Sequence, residues 1–172
     1  NRDQIELFIL KMKSDGIYRQ IEYKLLNVKN GFDLYFDLKF NQKITRINFI
    51  NLPFLDSNLT PLLKNKIGGY FNYQFLTADI DTINIQLAQK GFFLSSVRSI
   101  EISDQGQLNV TIESPRVIEV DFFGLESTPK WYANRDLMLQ KGQVVNQDVL
   151  DLDFETLKSL PLFSTKIAPE IH

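Results

Sequence analysis

Apolar and polar positions along this chain alternate with two different periods, and the period changes at glycines. Ile5, Phe8, Ile9 and Met12 fall at i, i+3, i+4 and i+7, one stripe of a helix that faces a core. Lys11 and Lys13 suit the negative C-terminal end of that helix, and Gly16 supplies its stop. The period then shortens to two. Ile21, Tyr23 and Leu25 alternate with Gln20, Glu22 and Lys24, and after Lys29-Asn30-Gly31 the residues Phe32, Leu34, Phe36, Leu38 and Phe40 alternate with polar ones. This pattern predicts a hairpin with one buried face.

The same sequence of periods returns further on, preceded by a strand. Residues 45–50 alternate Ile47 and Phe49 with polar positions and end in a turn-like Asn51-Leu52-Pro53. Helical segments are predicted around 58–66 and 79–90, separated by Gly68-Gly69. The later one carries Ile80, Ile83, Leu87 and Ala88 on one side, Asp79 and Asp81 near its positive end, and Gly91 after its last turn. A hairpin follows through 97–102, the turn Asp104-Gln105-Gly106, and the return through Leu108, Val110 and Ile112. Pro115 ends that strand, and Ile118, Val120 and Phe122 alternate in a third. Residues 117–122 match 44–49, with Gly124 where the earlier copy has Asn51, both residue types that tolerate positive φ; Gly142 is aligned with Gly69. A helix carrying Leu150, Phe154 and Leu157 then reaches Leu160-Pro161-Leu162-Phe163.

Gly16 and Gly91 are 75 residues apart, and so are Gly31 and Gly106. Matched pairs of glycines at one spacing argue for tandem copies of a small unit. The inward phase begins one residue after Gly31 but two after Gly106, which predicts different turn geometry in the two hairpins, because a one-residue slip would otherwise turn the buried face outward. The organisation expected is the C-terminal part of a unit over 1–42, a whole β-α-α-β-β unit over 43–115, and the N-terminal part of a further unit over 116–172.

Composition narrows the function. With 172 residues, 44% of them apolar, the chain can build one ordinary domain or two to three small ones, and the repeats favour the latter. A net charge of −2 without a run of lysine or arginine gives no electrostatic footprint for nucleic acid. The absence of cysteine excludes disulfides and Cys-based zinc sites, and fits several compartments including a bacterial periplasm. There is no 18-residue apolar run and no basic-then-apolar leader, so any targeting signal is expected outside this piece.

The order β-α-α-β-β, the Lys90-Gly91-Phe92-Phe93 joint, the Val120-Asp121-Phe122-Phe123-Gly124 opening and the Leu160-Pro161-Leu162-Phe163 segment resemble polypeptide-transport-associated (POTRA) repeats. These are the soluble domains that precede the membrane barrel in BamA-like and TamA-like outer-membrane assembly proteins and in two-partner-secretion transporters. Asn51 and Pro161 stand where the family's pattern has glycine. The resemblance implies an α+β fold of tandem POTRA-like units, each a three-stranded mixed sheet with two helices on one face.

Catalysis finds little footing in these residues. The single histidine, His172, is the last residue, which removes Ser-His or Cys-His pairing and any His-rich metal site. Asp79 with Asp81, or Asp151, Asp153 and Glu155, could be proposed as acid–base or calcium groups. Their spacing and their apolar neighbours Leu152 and Phe154 point instead to a solvated helix face. Gly68-Gly69 lacks a phosphate-binding pattern and reads as a turn. The Phe-rich stretch 32–40, alternating without nearby basic residues, reads as core rather than as a base-stacking platform.

What the resemblance leaves is a surface made of backbone. In the family's arrangement the third strand of a unit is central, so the second is an edge that offers unpaired N–H and C=O groups to an extended client. In the whole unit that edge is Val97, Arg98, Ser99, Ile100, Glu101 and Ile102. Its charged residues Arg98 and Glu101 equally suit a strand guarded against pairing. The resemblance implies a non-enzymatic, cofactor-free module in the periplasm, attached to the outer membrane through a barrel outside this chain. Its partners would be unfolded outer-membrane clients, accessory assembly subunits or lipoproteins, and that barrel, with no nucleic acid. Alternatives are the POTRA region of a two-partner-secretion transporter, of an organelle outer-envelope translocon or of a patatin-like phospholipase, and a structural spacer.

Overall fold

A computed structural model describes residues 2–54, 59–123 and 129–160. Its elements are α1 (Arg2–Ser14), β1 (Tyr18–Val28), β2 (Gly31–Phe40), β3 (Arg46–Ile50), α2 (Leu76–Gln89), β4 (Ser96–Ile102), β5 (Gln107–Glu113), α3 (Lys130–Asn134) and α4 (Gln147–Ser159). Single 3₁₀ turns lie at Thr60–Leu62 and Tyr73–Phe75. The fold is α+β, as the resemblance implies. The chain gathers into two compact units, one of residues up to 83 with 97–111, the other of 84–96 with residues from 112 onward.

In the first unit α1 stops where Gly16 takes a φ of +73°, a left-handed conformation that only glycine adopts cheaply. β1 and β2 then pair antiparallel from Tyr18↔Phe40 to Val28↔Gly31, closed by Lys29-Asn30. Buried Asn41 anchors the hairpin's far end, its Nδ2 donating to the carbonyls of Gly16 (2.9 Å) and Phe71 (2.7 Å). Phe40 stacks on Tyr70 with ring centroids 4.6 Å apart. The hairpin's apolar face, however, is not core. Phe32 is 70% exposed, Leu34 and Phe40 are also exposed, and Phe36 and Leu38 are half-buried. Alternation sorts side chains onto a face, but burial needs a second layer, and the contact of Phe8 in α1 with Phe36 covers only part of this one.

A three-stranded sheet has the order β3-β5-β4. β3 runs parallel to β5, from Arg46↔Gln107 to Ile50↔Thr111, while a tight turn joins β4 to β5, so the sheet is mixed and β5 is central. Gly106 lets that turn sit against the start of β3. Its φ is +78°, its carbonyl accepts from Thr45 N at 2.8 Å, and a Cβ there would lie 2.1 Å from the Lys43 carbonyl oxygen. Gly31, at a φ of +156°, meets nothing within 4 Å and pairs as a strand residue opposite Val28. The equal spacing of these two glycines thus conceals two roles, and the turns differ as the shift of inward phase predicts. Ile44, Ile47, Leu59, Leu63, Phe71, Ile83, Leu108 and Val110 are the buried core of this unit.

In the second unit Leu87, Ile112, Ala133, Leu139 and Leu157 are buried, and Asn146 caps α4 by accepting from Asp148 N and Val149 N. The strand expected over 117–122 does not form. Only the bridge Arg116↔Val144 is present, because a strand needs a partner and no counterpart of β5 pairs with this segment among the described residues. Gly142 (φ +89°) donates to Val117 O as Gly68 (φ +87°) donates to Ile44 O, so its counterpart is Gly68, one residue before the glycine expected. Asn51 adopts a φ of +59°, as its residue type allows. Gly124, Asn58, Pro161, Leu162, Phe163 and His172 lie outside the described residues.

The acidic residues account for a second departure. Asp79, expected on a solvated face, is 2% exposed, and its carboxylate accepts from Lys64 N (2.5 Å), Asn65 N (3.2 Å) and Asn65 Nδ2 (2.8 Å). Asp153, also buried, accepts from Met138 N (2.7 Å) and Leu139 N (2.8 Å). In both copies one carboxylate takes up the backbone donors 15 and 14 residues earlier. This is why the helix expected over 58–66 is reduced to the Thr60–Leu62 turn: Leu63 N donates only three residues back, to Thr60 O, and the N–H groups of Lys64 and Asn65 point at a carboxylate rather than at carbonyls four residues back. Asp81, Asp151 and Glu155 are exposed, as expected.

Two stability measurements follow. Leu87→Ala, at a position with 0% exposure, should cost about 2–5 kcal/mol in urea unfolding, whereas Asp81→Ala should cost under about 0.5 kcal/mol; equal losses would contradict the assignment of helix faces. Asp79→Ala, which strands the donors of Lys64 and Asn65, should cost about 1–3 kcal/mol per buried donor left unpaired. A loss as small as that of Asp81→Ala would show that water satisfies those donors instead.

Candidate functional site

β4 holds all six residues of the expected edge, Val97 to Ile102, with Ser96 added in front. It pairs with β5 on one side and ends the sheet on the other. The turn fixes which backbone groups face outward. Gly106 N donates to Ser103 O (2.9 Å), and Ser103 N donates to Gln107 O (2.9 Å), so the N–H of Ser103 faces β5. Alternation from that point turns the N–H of Glu101 toward β5 and those of Ile102 and Ile100 away from it; side-chain burial keeps this two-residue period over 100–102 and breaks it at Ser99. Arg98 and Glu101 are exposed, whereas Val97, Ser99, Ile100 and Ile102 are half-buried. The edge therefore offers a row of backbone groups flanked by one cation and one anion. The sheet's other edge is β3, five residues long against seven, which the sequence reading did not weigh.

The rest of the surface offers little chemistry. Among the described residues no group of three or more acidic or histidine side chains could hold a metal ion, and no helix is long and apolar enough to cross a membrane. Asp79 and Asp153 are occupied by backbone donors. A hydrogen bond from the Arg135 guanidinium holds Asp136 below the usual carboxylate range, and a hydrogen bond to Asp121 raises Lys130. Both pairs are exposed, and neither converges on a cavity or on a nucleophile. Gly68-Gly69 forms a turn, with Gly69 N donating to Lys66 O at 3.1 Å.

Sequence reasoning missed the polar residues that repeat. Asp79 and Asp153 are 74 residues apart, and so are Asn72 and Asn146, close to the spacing already visible at Gly16 and Gly91. Aligning polar side chains as well as glycines would have found them.

Comparison with known proteins fits this geometry. Residues 42–114 match the model of the POTRA family, described as a surface antigen variable number repeat. No curated protein matches the chain. Among solved structures, the N-terminal domain of Omp85 from the thermophilic cyanobacterium Thermosynechococcus elongatus aligns with a TM-score of 0.75 at 17% identity, over 96% of this chain and 74% of that one. POTRA1-3 of the periplasmic domain of Omp85 from Anabaena aligns with a TM-score of 0.61 at 16% identity, over 95% and 73%. At these identities the likeness is one of fold. Residues 42–114 of this chain are thus similar to a POTRA repeat, and the chain has the fold of POTRA domains.

Proposed function

We propose that this chain is part of the periplasmic POTRA array of an outer-membrane protein insertase or translocase and that it works by binding, without catalysis or cofactor. Its organisation is then a part-repeat over 1–42, a whole repeat over 43–115 and a part-repeat over 116–172, with a membrane barrel elsewhere in the protein. The periplasmic origin of the Anabaena domain that shares the fold supports this location.

The observation that carries the reading is the position of β4 at the edge of a mixed sheet, with the N–H groups of Ile100 and Ile102 turned outward. Unfolded precursors of outer-membrane barrels are extended chains with unpaired backbone, and strand addition reads backbone rather than side chains. One edge can thereby receive many clients. The opposite charges at Arg98 and Glu101 limit edge-to-edge pairing between copies without closing the edge to a client of mixed charge. Accessory subunits and lipoproteins of the assembly machinery are the further partners in this reading.

The test is a titration with extended peptides from outer-membrane barrel proteins, followed by NMR shifts. Ile100→Pro or Ile102→Pro removes one outward donor, which should weaken binding by about 0.5–1.5 kcal/mol, up to roughly tenfold, in a domain that stays folded. Glu101→Pro should instead break the ladder to β5 and destabilise the sheet. Unchanged affinity in both outward variants, or shifts confined to the helices, would reject strand addition at β4 and favour a spacer.

A further inference from the structure

One arrangement of side chain and backbone occurs twice, and the binding edge makes no use of it. At the end of α1, Asn72 Nδ2 donates to the Asp15 carbonyl at 2.7 Å, while Asn72 Oδ1 accepts from Gln74 N at 2.8 Å and caps the turn that leads into α2. At the end of α2, Asn146 Nδ2 donates to the Lys90 carbonyl at 2.9 Å, while Asn146 Oδ1 accepts from Asp148 N (2.9 Å) and Val149 N (3.3 Å) and caps α4. The next backbone N–H repeats the contact, Tyr73 to Gly16 O at 3.4 Å and Gln147 to Gly91 O at 2.8 Å.

The glycines are matched to these asparagines. Gly16 and Gly91 have φ of +73° and +83°. A Cβ on Gly16 would lie 2.1 Å from Asn72 Oδ1, and one on Gly91 would lie 2.8 Å from Asn146 Nδ2. Each carboxamide therefore rests on a bare Cα. Such a glycine both ends the earlier helix and makes room for the side chain that starts the later one.

Capping alone does not explain this. An N-cap needs only an acceptor, which serine, threonine and aspartate supply as well as asparagine. Both asparagines use the other half of the amide, the donor, on a carbonyl that belongs to the end of the preceding helix. We propose that Asn72 and Asn146 are latches: each ties the start of one repeat's long helix to the end of the previous repeat's, and so fixes the orientation between successive repeats. The first latch is braced by its neighbours, since Asn41 Nδ2 also donates to Gly16 O and Asn65 holds Asn72 through its backbone N and O. At the second, Asn146 carries the side-chain contact to Lys90.

The second latch gives the cleaner test. The chain has no cysteine, so nitroxide labels can be placed at will in the 172-residue chain. One pair, Asp81→Cys with Glu155→Cys, reports across the second latch; a control pair, Lys11→Cys with Asp81→Cys, reports across the first. Pulsed dipolar spectroscopy should give a narrow distance distribution for the first pair with Asn146 in place. Asn146→Asp keeps the cap and loses the donor, so helix content by circular dichroism should hold while the narrow distribution is lost. Gly91→Ala, which pushes the amide away, should broaden it in the same way, and the control pair should stay narrow in both. Should the aspartate variant lose helix content, Asn146→Ser keeps a capping oxygen without the amide and takes its place. A distribution that stays narrow in a folded Asn146 variant overturns the proposal, as does equal broadening of the control pair.

Discussion

β5 is the strand on which the three-stranded sheet depends, because it is paired along both sides by neighbours that reach it in different ways. β4 arrives through a turn of a few residues, while β3 arrives from 61 positions away and runs parallel to it. The two meet at Gly106, where the turn of the hairpin accepts a hydrogen bond from Thr45 at the head of β3. Leu108, Val110 and Ile112, alternating along β5, are each almost fully buried. β4 is left as an edge for the same reason.

Around the sheet, polar groups do as much to define the repeat as apolar ones. Asp79 and Asp153 each gather two successive backbone N–H groups from the segment before the long helix, and a buried carboxylate is tolerated where donors surround it. Each fixes the approach of its loop to its helix without requiring that loop to be helical. The asparagines then act at the helix start, and the glycines at the helix end. What repeats at about 74 residues is therefore a set of hydrogen bonds, and the surrounding apolar residues vary more freely because they need only fill a volume.

The elements with a strong period were legible from the sequence: the stripe of Ile5, Phe8, Ile9 and Met12 in α1, the alternation in β1 and β2, and Leu108, Val110 and Ile112 facing inward along β5. The edge position of β4 also came through, from the family resemblance rather than from the period. Where the reading failed, a distant partner decided the outcome. The backbone at Lys64 and Asn65 obeys a carboxylate 15 and 14 residues away, which no local pattern reports. Phe32 and Leu34 alternate as a buried strand should, yet a face becomes core only when something covers it. Residues 117–122 likewise carry a strand's alternation without a strand's partner among the described residues. Asp79 read as wet because acidic residues usually are, and nothing beside it in sequence announces its donors.

The parallel pairing of β3 with β5 has a consequence for the order in which the repeat assembles. β4 and β5 can zip together as soon as their short turn closes, an event of microseconds on the general scale for hairpins. β3 must wait until a loop spanning 61 positions has closed, and α2 lies inside that loop. In the interval the strand destined for the middle of the sheet has one bare side. Nascent repeats are then most adhesive toward other extended chains along β5, the strand that the finished fold shields, and mispairing during synthesis would be expected there rather than at the native edge.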